Sequence, residues 1–101
     1  MGWSMVGKNV AISVQKGNTG TYGQYAIVDA MTCMTLPNEI SIEQGSMSFV
    51  NPLTAMAMLD IVQSGGYKAM IHTAAASSLG RMLNRLFQSE NIPLINIVRR
   101  D

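Results

Sequence analysis

The chain has 101 residues, a formal net charge of +1, and 48% apolar against 13% charged residues. That is room for one small domain, too apolar for a disordered chain, with no charge block to grip nucleic acid or an anionic membrane surface. Its one cysteine, Cys33, excludes an internal disulfide and any multi-cysteine zinc site, so a reducing cytoplasm is the expected setting.

The N-terminus, MGWSMVGKNV, lacks the apolar centre of a signal peptide. The longest apolar stretch, SFVNPLTAMAMLDIV, is broken by Asn51, Pro52 and Asp60 and falls short of the roughly 20 apolar residues of a spanning helix. Nine methionines suit an adaptable core.

Residues 8–36 read as β. Val10, Ile12 and Val14 alternate with Ala11, Ser13 and Gln15, the period-two pattern of a half-buried strand. KGNTGTYG then supplies turn residues, with Gly17, Asn18 and Gly20 able to take positive φ. Tyr22, Tyr25, Ile27 and Val28 predict a second strand and Met34–Leu36 a short third one, ended by Pro37-Asn38. Cys33 is expected to be buried and inert.

From residue 41 the signal turns helical. Ser41 and Gln44 have capping-box spacing and predict a short helix through about Phe49. Glu39 and Glu43 fall on a turn and a helix surface, where they are expected to be solvated. Asn51-Pro52 reads as N-cap and first helical residue of a second helix, and Gly65-Gly66 stops it. KAMIHT, residues 68–73, is too brief for a helix and reads as a strand. Ala74–Ser78 turns the chain, and Leu79, Met82, Leu83 and Leu86 recur at helical spacing opposite Arg81, Arg85 and Gln88. Asn91 and Pro93 break that helix before LINIV, a buried-type strand. Strand, helix and strand within about 30 residues predict a βαβ unit with parallel strands and a right-handed crossover.

The turn of that unit bears on chemistry. The phosphate-binding fingerprint G-x-G-x-x-G would fall on Ala75, Ser77 and Gly80. Alanine and serine are the smallest substitutes for its first two glycines, and Gly80 retains the helix-packing position. Ser77 and Ser78 add hydroxyls beside a helix N-terminus, where unpaired N–H groups and the helix dipole attract phosphate. On local pattern alone, an ordinary strand-to-helix junction stands beside the nucleotide reading. Arg99 and Arg100 follow the second strand, about 20 residues past the turn, where an arginine accommodates the 2′-phosphate of NADP; Asp101 keeps NAD open. His72, near the end of a strand, reads as a packed neutral histidine.

The segments VGKNVAI, GTYGQYAIVDA, LPNEISIEQGSMSFVNPLTAMAML, KAMIHTAAASSLGRML and IPLINIVRR, in this order, resemble the medium-chain dehydrogenase/reductase superfamily. The resemblance covers residues 6–100 and is to the zinc-independent quinone-oxidoreductase and enoyl-reductase branch. It implies an α/β chain: residues 1–50 as the last part of a GroES-like catalytic domain, and residues 51–101 as the linking helix and first βαβ of an NAD(P)-binding Rossmann domain. It also implies an internal piece of a longer enzyme, lacking much of both domains and inactive by itself. The cofactor it implies is NADP in preference to NAD, without zinc. Carried over by position, the cofactor-binding residues are Asn51 and Thr54 at the helix start, Ala75, Ser77, Ser78, Leu79 and Gly80 at the pyrophosphate turn, and Arg99 and Arg100 at the adenosine phosphate. The family's turn carries more glycine than this one.

No Ser-His-acid set and no second histidine exist to supply another catalytic centre. A different reading makes the chain a cofactor-free assembly module or a gene remnant without a catalytic role. Unpaired strand edges and an uncovered helix face predict a homodimer or larger oligomer, with exchanged elements as one route, and no nucleic-acid or membrane partner.

Overall fold

A computed structural model describes residues 2–13 and 20–99. The chain divides into two compact units, residues 1–49 and 50–101. The architecture is α/β, with an antiparallel strand pair in the first unit and a parallel pair in the second.

In the first unit, β1 (Val10–Ala11) pairs antiparallel with β2 (Met34–Thr35), in the register Val10 to Thr35 and Ala11 to Met34. The Leu36 amide donates to the Asn9 carbonyl at 2.9 Å and prolongs the contact, with Ala11 and Leu36 buried. The first strand is thus shorter than its alternating pattern predicts: Ile12 and Ser13 are outside it, and Val14 lies outside the described residues, as do Gly17 and Asn18. No strand forms over 21–28, where bends and irregular backbone leave Tyr22, Tyr25 and Ile27 largely exposed. Alternation supplies one apolar face, but a strand also needs a hydrogen-bonding neighbour and a surface to cover. A 3₁₀ turn, Ala30–Thr32, precedes β2 and is capped by Asp29, whose Oδ1 accepts from the Met31 amide at 2.9 Å. Cys33 is half-buried rather than buried, and its thiol donates to the Asp29 carbonyl at 3.6 Å.

Helix α1 (Ile42–Ser46) starts with the expected capping box: Ser41 Oγ accepts from the Gln44 amide at 3.2 Å, and Gln44 Oε1 accepts from the Ser41 amide at 3.0 Å. It ends three residues before Phe49. Ser46 and Ser48 donate their hydroxyls to the carbonyls of Glu43 and Gly45 at 2.7 Å each, and the Met47 and Ser48 amides make tight i−3 bonds. Such local bonds compete with helix propagation.

The second unit begins with α2 (Val50–Ser64). Asn51 is therefore inside the helix rather than its cap. Pro52 is tolerated at the third position because first-turn N–H groups have no intrahelical acceptor to lose. Then come β3 (Met70–Thr73), α3 (Ser78–Ser89) and β4 (Leu94–Ile97). β3 and β4 are parallel, registered from Met70 opposite Leu94 to Thr73 opposite Ile97.

Both long helices end in the same way. Gly66 (φ +66°) follows α2, with the Tyr67 amide donating to Val62 O at 3.0 Å and the Gly66 amide to Gln63 O at 3.1 Å. Asn91 (φ +56°) follows α3, with Ile92 donating to Phe87 O at 3.0 Å and Asn91 to Gln88 O at 3.2 Å. These are Schellman caps, with glycine and asparagine at the left-handed position that other residues adopt only at a cost. The core joins Ala55 and Val62 of α2 to Leu83 and Phe87 of α3, with Met70 of β3 and Leu94 of β4 packed against them. Leu83 and Phe87 are fully enclosed, so the α2–α3 contact anchors this unit.

Candidate functional site

The β3–α3 junction is tightly determined. After Thr73 the chain takes a left-handed step at Ala74 (φ +54°). The buried Ala75 donates its amide to Ile97 O at 3.4 Å, tying the turn to the end of β4. The Ser77 amide donates to Ala74 O at 2.9 Å. Ser77 then caps α3 from an extended conformation: its Oγ accepts from the Gly80 amide at 3.1 Å, and its carbonyl accepts from the Arg81 amide at 2.9 Å. The helix ladder takes neither the Ser78 nor the Leu79 amide, since both belong to the first turn.

Gly80 is there for lack of a side chain. A Cβ built on it would sit 2.4 Å from the Ala75 carbonyl oxygen and 2.7 Å from the Ala75 Cα. Those neighbours are backbone and cannot swing aside, so the first turn of α3 approaches the β3 exit as closely as it does only with glycine at 80.

Five of the predicted site residues, Ala75, Ser77, Ser78, Leu79 and Gly80, come together at this junction. Their roles differ. The Ala75 side chain is turned inward, and the Gly80 amide is already taken by Ser77. Ser77 and Ser78 are exposed, and each has a hydroxyl proton to donate. Because β3 and β4 are parallel and end in register, Arg99, exposed two residues past β4, leaves the same end of the sheet as the turn. Arg100 lies outside the described residues. Asn51 and Thr54 are on the first turns of α2, and Thr54 Oγ1 donates to the Val50 carbonyl at 2.8 Å. Neither lines the cavity of about 440 Å³ beside the turn, which Met58, Ile71, His72, Ser77, Leu79 and Gly80 help to form.

Two features of this end of the unit escaped sequence reasoning. Ala74 carries no signal, because alanine gives no hint of a left-handed conformation. The other is a run of polar side chains. His72 Nε2 meets Asn96 Oδ1, Asn96 Nδ2 donates to Asn84 Oδ1 at 2.7 Å, and Asn84 Nδ2 donates to the Gly80 carbonyl at 3.0 Å. His72 is thus half-buried and hydrogen-bonded rather than simply packed. The spacing of Asn84 four residues after Gly80 was the available clue.

Among the described residues, no group of three or more His, Cys, Asp or Glu side chains is placed to hold a metal ion, and no helix is long and apolar enough to cross a membrane. Away from this site, Glu43 in the first turn of α1 has its carboxyl held below the ordinary glutamate range by its own backbone hydrogen bond and by the Ser41 hydroxyl.

No protein-family profile matches the chain. It is 28% identical over 83 residues to the mitochondrial enoyl-[acyl-carrier-protein] reductase of Arabidopsis thaliana, covering 81% of this chain and 22% of that protein. A crystal structure from Mesorhizobium loti, provisionally named an NADPH:quinone reductase, superposes with a TM-score of 0.90 at 41% identity, covering 98% of this chain and 29% of its own. The chain therefore spans less than a third of the length of either relative. Both likenesses extend over four-fifths or more of the chain, and the structural one, at 98%, takes in the β3–α3–β4 unit. Together they support a place for the chain in the medium-chain dehydrogenase/reductase superfamily.

Proposed function

We propose that the β3–α3 junction binds the pyrophosphate of NADPH, and that the chain is the middle portion of an oxidoreductase architecture. In that architecture residues 1–50 belong to a GroES-like catalytic domain and residues 51–101 open a Rossmann domain. The observation that carries this reading is Gly80 pressed against the Ala75 backbone at the start of α3. That approach sets the Ser78 and Leu79 amides and the Ser77 and Ser78 hydroxyls at the exit of a parallel strand. A helix N-terminus in that setting favours a phosphate. Arg99 and Arg100 supply positive charge for a 2′-phosphate and favour NADPH over NADH. The name given to the Mesorhizobium loti structure, an NADPH:quinone reductase, supports the same cofactor.

The bound nicotinamide supplies the hydride, and the protein's part is binding and orientation. Hydride transfer to an enone, quinone or enoyl thioester belongs, on this reading, to the longer proteins, and the 101-residue chain is catalytically silent by itself. Its setting is the cytoplasm, and no zinc takes part.

Equilibrium titration tests the binding reading. NADPH should bind the chain, and replacing both Arg99 and Arg100 with alanine should weaken NADPH about 10-fold while leaving NADH unchanged, the size expected for losing a charged hydrogen bond. Absence of NADPH binding, or an equal loss for both nucleotides, overturns it. Reduction of a quinone by NADPH at an ordinary enzymatic rate contradicts the silent chain.

A second reading, assembly without cofactor, has its own support. Ile71, Ile95 and Ile97 share one face of the β3–β4 pair and are 63, 53 and 49% exposed. Parallel sheets bury both faces. A homodimer or larger assembly, with exchanged elements as one route, would cover this one. Light scattering at micromolar concentration should give at least twice the monomer mass, and a stable monomer rules this reading out.

A further inference from the structure

The polar run from His72 to Gly80 has a direction, and the direction has a consequence. It crosses three elements: His72 lies on β3, its register partner Asn96 on β4, and Asn84 on α3 one turn after Gly80. Its far end is the Gly80 carbonyl, which can only accept. Asn84 must therefore present its NH₂ there, which leaves Asn84 Oδ1 as the acceptor facing Asn96. Asn96 must in turn present its NH₂ to Asn84, so its Oδ1 faces the imidazole. A carbonyl oxygen cannot donate, so the ring nitrogen opposite it must carry a proton. Turning either amide over would set oxygen against oxygen at one link, Asn84 against the Gly80 carbonyl or Asn96 against Asn84.

We infer that Asn84 and Asn96 are positioning residues that hold the proton of neutral His72 on Nε2 and leave Nδ1 as its acceptor. His72 lines the cavity beside the β3–α3 turn. A group that meets Nδ1 of the neutral ring must therefore donate a hydrogen bond to it, as a hydroxyl or amide does, and a bare carbonyl is refused. The same chain clasps both strands to the helix turn that contains Gly80. The inference concerns the ligand-free protein and stands or falls independently of NADPH binding.

His72 is the only histidine, so a protein labelled with ¹⁵N-histidine gives a single imidazole in a long-range ¹H–¹⁵N correlation spectrum. At a pH where the ring is neutral, the wild type should show the Nε2–H form alone, with a proton protected from solvent exchange. Asn84→Leu removes the anchor and should bring a measurable Nδ1–H fraction and fast exchange. Asn96→Asp still offers the ring an acceptor and should keep the Nε2–H form. An Nδ1–H form or a rapidly exchanging mixture in the wild type overturns the inference, whether or not the variants fold. An unchanged ring spectrum in folded Asn84→Leu also overturns it.

Discussion

The two units show opposite relations between local signal and structure. In residues 50–101 each helix carries its own stop signal, and α2 and α3 find in each other the surface they need, around Leu83 and Phe87. In residues 1–49 the strongest signal was alternation, and it yielded a ladder of two residues per strand. A helix closes its hydrogen bonds within itself, whereas a strand depends on a partner remote in sequence. The contrast teaches where the chain's stability is concentrated.

The largest expected effect follows directly. Phe87→Ala should destabilise the second unit by about 3–5 kcal/mol, the cost of a large core cavity. Amide exchange should then collapse across 50–99 while the β1–β2 ladder changes little. Equal loss in both units would mean that they are not separate in stability.

A pair of glycines sharpens the contrast. An added Cβ at Gly80 or at Gly45 would meet its nearest neighbour at the same 2.4 Å. At Gly80 that neighbour is the Ala75 backbone; at Gly45 it is a terminal methyl of Leu36, which can rotate away. Gly80→Ala should cost about 2–3 kcal/mol, at the upper end of overpacking, and Gly45→Ala under about 1 kcal/mol. Thermal or denaturant unfolding compares the two, and equal costs would contradict the account of Gly80 as the fixed point of the turn.

Much of the second unit was legible for physical reasons. Ser77, Gly80, Gly66 and Asn91 each satisfy a backbone requirement that few other residues meet, so their identity reports their position. Asn51-Pro52 misled by two residues, since α2 begins at Val50 and proline is acceptable throughout a first turn. The second strand over 21–28 was not legible, because the tyrosines and Ile27 say what a strand would bury and not what would pair with it. At the site, the turn could be placed from the sequence. The left-handed Ala74 and the partners of His72 could not, since both depend on how β3, β4 and α3 meet.

Ala74 gives a smaller effect of opposite sign. Glycine there removes a left-handed penalty of about 1–2 kcal/mol and adds chain entropy to the unfolded state. Ala74→Gly should therefore raise stability by up to about 1 kcal/mol, read as a higher denaturant midpoint; a lower midpoint would mean that the Ala74 methyl makes packing that outweighs the strain.

The smallest effect belongs to the first unit. The carboxyl of Glu43 is lowered in the folded chain, so its contribution is present above the ordinary glutamate range near ~4.3 and is lost as pH falls through its lower folded value. Amides of α1 should lose exchange protection on acidification through that window, and Glu43→Gln should flatten the dependence. A pH profile unchanged by that substitution would assign the loss to another group.

The central claim is that the β3–α3 junction is a phosphate site for NADPH. Titrating NADPH into the ¹⁵N-labelled protein and following every backbone amide tests it most directly. The account predicts the largest shifts at Ser78 and Leu79, with Arg99 responding and the first unit silent. A spectrum that does not move, or one whose shifts centre on another part of the chain, contradicts it.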